Sequence, residues 1–402
     1  MANMTTSSLK AGADLSGADR NAGVIDRRDD FDRDVWCLLG LPVDAADINR
    51  AVFEVDRAAR SGRKLSFVTP NVNWLVRALR DREARREIIA ADMSFVDGAP
   101  LVLIARMLGA PVRSRVAGSD IFEALRRRPG YGARKLKVFF FGGRDGAAEA
   151  AAAALDAENG GLEAAGFLNP GFGDVEAMSA DAVIDEINAA APDFIVVALG
   201  AAKGQAWIDR NKDRLTAPVI AHLGAVVDFT AGGVVRAPRL VQRLGLEWAW
   251  RIKEQPDLWR RYFDDGRALL SIALTRIAPQ LGKARSGTGA PGEASLSQTA
   301  CGAVVRLSGD HMRAGLAAAR DAFRRAAARG GDVVLDCSNL KDFDRSFLGL
   351  VLMLEKHVVK AGRTLYLNGA TPSQVKVFRA NAMTYPTAPA AREGSVAGEA
   401  AV

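Results

Sequence analysis

Short apolar runs alternate with longer stretches rich in Ala, Arg and Glu from Val35 to about Leu281. Runs such as LSFVTPN, KLKVFFFGG, PDFIVVALG and APVIAHLGAVVDF have the length and composition of strands. Stretches such as NWLVRALRDREARREIIAA and DGAAEAAAAALDAENGG have those of helices. Because strands that alternate with helices form mainly parallel sheets, we predict an α/β domain over residues 31–281. Functional residues of such folds gather where strands end.

The alternation stops at a segment rich in Gly, Ser, Ala and Pro, residues 282–298, which predicts a linker. It resumes with GAVVRLSG, DVVLDCS and TLYLNG as strands and with helical stretches between them. We therefore predict a second, smaller α/β domain over residues 299–383. Residues 1–30 and 384–402 have no periodicity, and we predict that both are disordered tails.

The composition restricts the classes of partner and of site. A net charge of +7 over 402 residues favours an anionic partner, whether nucleic acid, a phosphorylated substrate or an anionic membrane. No apolar run is long enough to cross a bilayer, and the polar start of the chain does not resemble a signal peptide. The cysteines, Cys37, Cys301 and Cys337, are far apart, which argues against disulfides or a zinc site and favours a reducing cytoplasm.

Several polar residues fall where predicted strands end. Thr69 and Asn71 lie in TPNVNW, Asp97 lies between apolar runs in FVDGAP, and Arg115 and Asp120 lie in SRVAGSD. Taken singly, each has a structural explanation: Thr, Asn and Asp cap helices, and Asp-Gly forms turns. A carboxylate among apolar residues is nevertheless costly unless something compensates it.

Together these segments resemble the WecG/TagA/CpsF glycosyltransferases, glycosyltransferase family 26. The resemblance runs from about Phe67 to Tyr262 through FVTPNVNWLV, FVDGAPLV, RVAGSDIFEAL, VFFFGG, HLGAVVDFTAG and GLEWAWRIKEQPDLWRRY. It implies a Rossmann-like catalytic domain and an inverting hexosyltransferase. Such an enzyme moves a sugar from a UDP-sugar to a polyprenyl-diphosphate-linked acceptor, without a metal or other cofactor. The resemblance also implies that the products feed exopolysaccharides and other cell-surface glycans.

The resemblance also implies roles for individual residues. Asp97 takes the place of the base that deprotonates the acceptor hydroxyl, and an apolar pocket raises the pKa of a carboxyl in that role. The residues that match positions around the donor and the base are Thr69, Asn71 and Arg115. Gly142 and Gly143 would allow a nucleotide to approach the backbone closely, although a simple turn at the end of a strand explains them equally well.

Two departures from the family pattern affect the predicted site. The usual G-x-P-K-Q-E-x-W is GAAKGQAW here, with Gly204 at the Gln position. The polar contact of that Gln is either missing or supplied by Gln205, so we count Gln205 among the substrate-binding candidates. An arginine expected two residues after Pro256 is Leu258, which removes one predicted contact to the diphosphate.

The segment 236–278 is basic and contains several Trp and Tyr residues. It is either an ordinary solvated helical surface or an amphipathic appendage on an anionic membrane. Membrane-held acceptors favour the second interpretation, which predicts a peripheral protein on the inner face of the cell membrane. The resemblance implies that Arg251 and Arg261 in this segment bind the donor diphosphate.

The second domain resembles a STAS domain, the fold of anti-sigma-factor antagonists, which usually binds proteins. Its usual D-S-[ST]-G is Asp344, Arg345, Ser346 and Phe347 here. Ser346 occupies the position that is phosphorylated in many relatives, but it is also explained as a serine that caps a helix.

A non-catalytic protein of the same fold, either sugar-nucleotide-binding or a STAS-type regulator, is the alternative function. The altered GAAKGQAW favours it, and the polar residues at the strand ends argue against it. Nucleic acid is not among the predicted partners, because we find no motif that reads it.

Overall fold

The computed structural model describes residues 29–128, 134–233, 237–238, 241, 246–281, 291–299 and 302–389. The strands are β1 Val35–Leu38, β2 Leu41–Asp44, β3 Leu65–Val68, β4 Met93–Ser94, β5 Leu136–Gly142, β6 Leu162–Leu168, β7 Phe194–Ala198, β8 Val219–His222, β9 Glu293–Thr299, β10 Gly302–His311, β11 Asp332–Phe343 and β12 Leu365–Asn368. The helices are α1 Ile48–Ser61, α2 Val72–Arg80, α3 Arg82–Ile89, α4 Ala99–Met107, α5 Gly118–Arg127, α6 Ala147–Asp156, α7 Asp181–Ala189, α8 Ala201–Asn211, α9 Gly224–Thr230, α10 Glu247–Glu254, α11 Trp259–Ile272, α12 Ala317–Ala328, α13 Arg345–Lys360 and α14 Pro372–Ala380.

The first domain is built on a six-stranded sheet in the order β4-β3-β8-β7-β5-β6, with every pair parallel. Successive side chains of a strand face opposite sides, so a strand covered on both sides is apolar throughout. In β5, Val138 and Phe140 pack in one hydrophobic cluster, whereas Phe139 and Phe141 pack in another. This confirms the predicted α/β fold and explains why VFFF has no polar residue.

The second domain has a four-stranded sheet in the order β12-β11-β10-β9, with β9 antiparallel to β10 and the other pairs parallel. The prediction of a smaller α/β domain is confirmed. Strand β9, however, begins inside the predicted linker 282–298. It is an edge strand with one packed face, where Ala294 and Leu296 contact the core, so its hydrophobic signal is weak.

Both predicted tails are wrong at the residues that adjoin the domains. Asp29 caps a 3₁₀ turn at Asp30–Asp32, which belongs to the predicted tail 1–30 at its start. In the predicted tail 384–402, Pro386 O accepts a 2.9 Å hydrogen bond from Leu367 N. Backbone hydrogen bonds of this kind fix residues that composition alone marks as disordered. The rest of both tails lies outside the described residues.

Two predicted elements are divided in the structure. The single helix predicted from NWLVRALRDREARREIIAA is two, α2 and α3, because Asp81 accepts from Glu83 N and caps the second. The strand predicted from APVIAHLGAVVDF ends at His222, and Gly224–Thr230 is helix α9.

The hairpin of β1 and β2 packs against both domains. Val35 and Cys37 belong to the hydrophobic cluster of the second domain, whereas Leu38 and Leu41 belong to that of α2 and α4. The contact is close, since a Cβ on Gly349 of α13 would lie 2.2 Å from the Val35 carbonyl oxygen. The two domains therefore share an interface that the boundary 31–281 did not anticipate.

Polar contacts continue this interface. Arg85 of α3 donates hydrogen bonds of 2.7 and 3.0 Å to Glu355 of α13. Arg345 donates to Leu108 O at the end of α4 and to Gln280, both at 2.8 Å. The second domain thus holds α4 and the residues that follow α11.

Candidate active site

A cavity of about 840 Å³ opens at the carboxyl ends of β4, β3 and β8. These strands are neighbours in the sheet, so the residues that follow them converge. Asp97, Thr69 and His222 line the cavity from this side, and α10 and α11 line it from the other. Its volume falls in the range of small-molecule sites.

Asp97 is held at the end of a strand and the start of a helix. Beyond β4 the chain continues beside β3, with 2.9 Å hydrogen bonds from Phe95 N to Val68 O and from Asp97 N to Pro70 O. Gly98 has a φ of +99°, which turns the chain into α4. The local sequence therefore fixes the carboxylate at the cavity wall, with 28% of its side chain accessible.

Arg115 lies among three carboxylates. Its guanidinium donates to Glu247 at 2.5 and 3.2 Å, and lies 3.3 Å from Asp120 Oδ2 and 3.7 Å from Asp97 Oδ1. Burial raises the pKa of Asp97, Arg115 and Arg251 lower it, and Glu247 and Asp120 raise it, with a net result of about 6. Such a carboxyl is suited to proton transfer near neutral pH.

Thr69 and Asn71 line the cavity where β3 ends. Asn71 also caps α2, because its Oδ1 accepts from Trp74 N at 3.3 Å, so the structural explanation holds for it too. Nearby, Asn73 Nδ2 donates to Asp265 of α11 at 3.2 Å. This bond ties α11 to the sheet domain beside the cavity.

Helices α10 and α11 cover the cavity with cationic and aromatic side chains. Arg251 lies 5.4 Å from the centroid of the Phe229 ring, and Arg261 lies 5.0 Å from that of Tyr262. Both arginines line the cavity. They face the wall that carries Asp97, so the arrangement can place an anionic group opposite a carboxylate base.

A family model, described as the Glycosyl transferase WecG/TagA/CpsF family, matches residues 36–281, which is more than half of the chain. The chain belongs to this family. A second model, described as Mlab, STAS domain, matches residues 294–384, which contain the four-stranded sheet. The catalytic fold and the appended domain that the sequence predicted are therefore both confirmed.

Two relatives have the name N-acetylglucosaminyldiphosphoundecaprenol N-acetyl-beta-D-mannosaminyltransferase. The one from Bacillus spizizenii (strain ATCC 23059 / NRRL B-14472 / W23) is 29% identical over 195 residues, which are 48% of this chain and 73% of the relative. The one from Bacillus subtilis (strain 168) is 26% identical over 211 residues, which are 52% of this chain and 79% of the relative.

Three residues predicted to bind substrate do not line the cavity of this WecG-family domain. Gly142 and Gly143 form a turn at the end of β5, where Gly143 N donates to Ala198 O at 2.9 Å. Gln205 is 2% exposed, and its amide points toward Glu87 O, 3.5 Å away on α3. The structure supports the turn explanation for the glycines and gives Gln205 a packing position.

Glu247 and His222 line the cavity and were missed from the sequence. Glu247 lies within GLEWAW, so its segment was noticed but not its contact with Arg115. His222 is the last residue of β8, and Thr69 directly follows β3. Its position at the end of a strand is the sequence signal that could have identified His222 as a site residue.

Ser346 of the STAS domain is 2% exposed. Its hydroxyl hydrogen-bonds Asp344 Oδ1 at 2.5 Å, and Asp344 caps α13 by accepting from Ser346 N and Phe347 N. Asp344 therefore provides the cap. A kinase cannot reach the Ser346 hydroxyl in this arrangement, so the structure does not support the predicted phosphorylation site.

The described residues contain neither a metal-binding cluster nor a membrane-spanning helix. No group of three or more His, Cys, Asp or Glu side chains there is arranged to hold a metal ion. No helix in the same part of the chain is both long and apolar enough to cross a membrane.

Proposed function

We propose that the protein is an inverting hexosyltransferase that moves a sugar from a UDP-sugar to a polyprenyl-diphosphate-linked acceptor, with Asp97 as the base. The observation that carries the proposal is a carboxyl with a pKa of about 6 in a cavity whose far wall holds Arg251 and Arg261. The names of the two Bacillus relatives support the acceptor class, since both act on a sugar linked to diphosphoundecaprenol.

In the proposed reaction, Asp97 accepts the proton of an acceptor hydroxyl as its oxygen attacks the anomeric carbon. The bond from that carbon to the UDP oxygen breaks, and UDP leaves with the electron pair. Attack opposite the leaving group inverts the configuration in one step. Arg251 and Arg261 stabilise the negative charge that develops on the diphosphate, and we propose that no metal is required.

We further propose that the enzyme works in exopolysaccharide or related glycan assembly, bound to the inner face of the cell membrane. Of the predicted appendage 236–278, the described part begins at residues 237–238 and includes α10 and α11. Apolar side chains are exposed along α11 and the turn after it, at Trp259, Phe263, Leu270 and Leu274. Membrane contact supplies a reason for their exposure.

The direct test is Asp97→Asn, assayed by UDP release and by analysis of the lipid-linked product. We expect the rate to fall by about 10²- to 10⁴-fold, because a general base contributes that much. Asp120→Asn is the matched control: it removes a carboxylate beside Arg115 from a residue that does not line the cavity.

We expect the Asp120→Asn variant to keep most of its activity. An active wild type whose Asp97→Asn variant transfers sugar equally well would disprove the assignment of the base. A wild type that binds UDP-sugars without transferring them would support the non-catalytic alternative.

A further inference from the structure

His222 ends β8 at the wall of the cavity. Its strand is next to β3, which leads to Thr69, and two strands from β4, which leads to Asp97. Neighbouring strands are about 4.8 Å apart, so the imidazole and the base lie on the order of 10 Å from each other along the sheet edge. That interval leaves room for a sugar ring between them.

The ring of His222 fits against α8 only because position 204 is glycine. A Cβ on Gly204 would lie 2.2 Å from His222 Cδ2, a distance that carbon atoms do not tolerate. Gly224 faces the same ring, and a Cβ there would lie 3.6 Å from Nε2. The glycine in GAAKGQAW therefore makes the space that the histidine side chain fills.

The imidazole has hydrogen-bonding capacity that the described protein residues do not use. Nε2 is buried with no hydrogen-bond partner. Burial lowers the pKa of His222 to about 4, so the ring is uncharged at neutral pH and can donate one hydrogen bond and accept another. Buried polar groups are nearly always partnered, and because Nε2 has almost no accessible surface, the ring has to turn toward the cavity that His222 lines for a ligand to supply that partner.

We propose that His222, in the space left by Gly204, is a specificity-determining residue that recognises a hydroxyl or acetamido group on a sugar bound in the cavity. An uncharged ring suits an uncharged sugar substituent, whereas the arginines of α10 and α11 suit the diphosphate. The inference rests on the proposed transferase function. The sugar belongs either to the donor or to the acceptor, and the kinetic experiment separates the two sources.

The first experiment tests the packing with Gly204→Ala, His222→Ala and the double variant, measured by melting temperature and by transfer. We expect Gly204→Ala alone to displace the ring, lower the melting temperature and reduce transfer as His222→Ala does. In the double variant the added methyl has space, so we expect it to be no worse than His222→Ala alone. If the losses in melting temperature and in transfer of the two single variants add up in the double variant, the packing argument is wrong.

The second experiment compares His222→Leu with His222→Asn, whose side chains have similar size but opposite polarity. We expect His222→Leu to raise KM by about tenfold for either the donor or the acceptor, as the loss of one hydrogen bond does. His222→Asn should restore most of that loss. The substrate whose KM changes identifies the sugar, and its deoxy analogues should be discriminated by the wild type but not by His222→Leu.

The outcomes separate this inference from the function on which it rests. An active wild type, with both KM values unchanged in His222→Leu, would overturn the role of His222 alone. Equal losses in His222→Leu and His222→Asn, accompanied by equal falls in melting temperature, would show a packing role and would also overturn it. A wild type that transfers no sugar from any UDP-sugar tested would overturn both proposals.

Discussion

At Asp97, burial and the neighbouring charges act on the same carboxyl in different directions. Burial favours the protonated form, and Arg115 favours the ionised form. Arg115 is shared with Glu247 and Asp120, however, so its charge is not available to Asp97 alone. Burial therefore dominates, and the carboxylates of Glu247 and Asp120 add to it, so the pKa of the proposed base is about 6.

The first prediction concerns the pH dependence of transfer. Only ionised Asp97 can accept a proton, so kcat/KM should rise with pH through about 6 and level off above it. Glu247→Gln removes a negative charge that raises the pKa of Asp97 and leaves the charge of Arg115 less neutralised. The pKa of Asp97 should therefore fall, and the rise in kcat/KM should move to lower pH. Asp257→Asn, at an exposed acid of the neighbouring turn, is the control and should leave the profile unchanged. An unmoved profile in Glu247→Gln would show that Glu247 does not act on the base.

Helix α11 presents an exposed apolar face that begins at the cavity, since Trp259 and Phe263 also line it. Trp259, Phe263 and Leu270 are 52%, 58% and 62% exposed, and Leu274 in the next turn is 65% exposed. Their spacing of four, seven and four residues places them on one side of a helix. A contiguous exposed apolar stripe indicates a binding surface, and nearby arginines favour an anionic lipid surface as its partner.

The second prediction tests this stripe with the double variant Leu270→Glu and Leu274→Glu. We expect binding to vesicles that contain anionic lipid to fall at least tenfold, because burial of each leucine contributes about 1.5–3 kcal/mol. Phe172→Glu is a matched control, since Phe172 is fully exposed in a loop outside this segment. Flotation of the full chain with vesicles measures both. Equal losses in the two variants, or none in either, would contradict the assignment.

The interior strands of the parallel sheet could be predicted from the sequence, whereas edge strands and the short hairpin of β1 and β2 could not, although the hairpin is buried throughout. Strands such as β5 are apolar throughout, so their pattern is strong. The hairpin of β1 and β2 and the edge strands β6 and β9 were missed. LEAAGFL in β6 is rich in Ala and Gly, and its edge position leaves most of it only half-buried. Tertiary pairing decides such segments more than local preference does.

The same division holds for the site. The family resemblance predicted Thr69, Asn71, Asp97 and Arg115 together, and all four line one cavity because strand ends of a parallel sheet converge. Gln205 does not line the cavity, because one residue along a helix turns a side chain by about 100° from the direction of position 204. The contact between Glu247 and Arg115 joins residues 132 positions apart, which no local pattern shows.

On the scale of the whole molecule, the STAS domain is part of one body with the transferase domain. Arg85 and Glu355 form a bidentate ion pair across the interface, with 9% and 11% of their side chains exposed. Tyr385, from the segment predicted to be a tail, donates to Glu355 at 2.7 Å. Tyr385 therefore anchors the segment that follows α14 to the same interface.

The third prediction is that Glu355→Ala lowers the free energy of unfolding by about 3–5 kcal/mol, since it leaves Arg85 buried without its partner. The control is Glu83→Ala, which breaks an exposed pair with Arg86 and should cost less than about 1 kcal/mol. Denaturant unfolding followed by two probes measures both. A separate early transition of the second domain in the wild type would contradict a shared interface.

The hairpin between the domains has a consequence for synthesis on the ribosome. Arg33, just before β1, contacts Met353 of α13, which is 320 positions away. At about 5–20 residues per second, the hairpin waits on the order of tens of seconds for α13 to be made. During that interval the apolar face of the hairpin has no cover from α13. We therefore expect the nascent chain to need protection of this face, as a chaperone provides, until α13 has emerged.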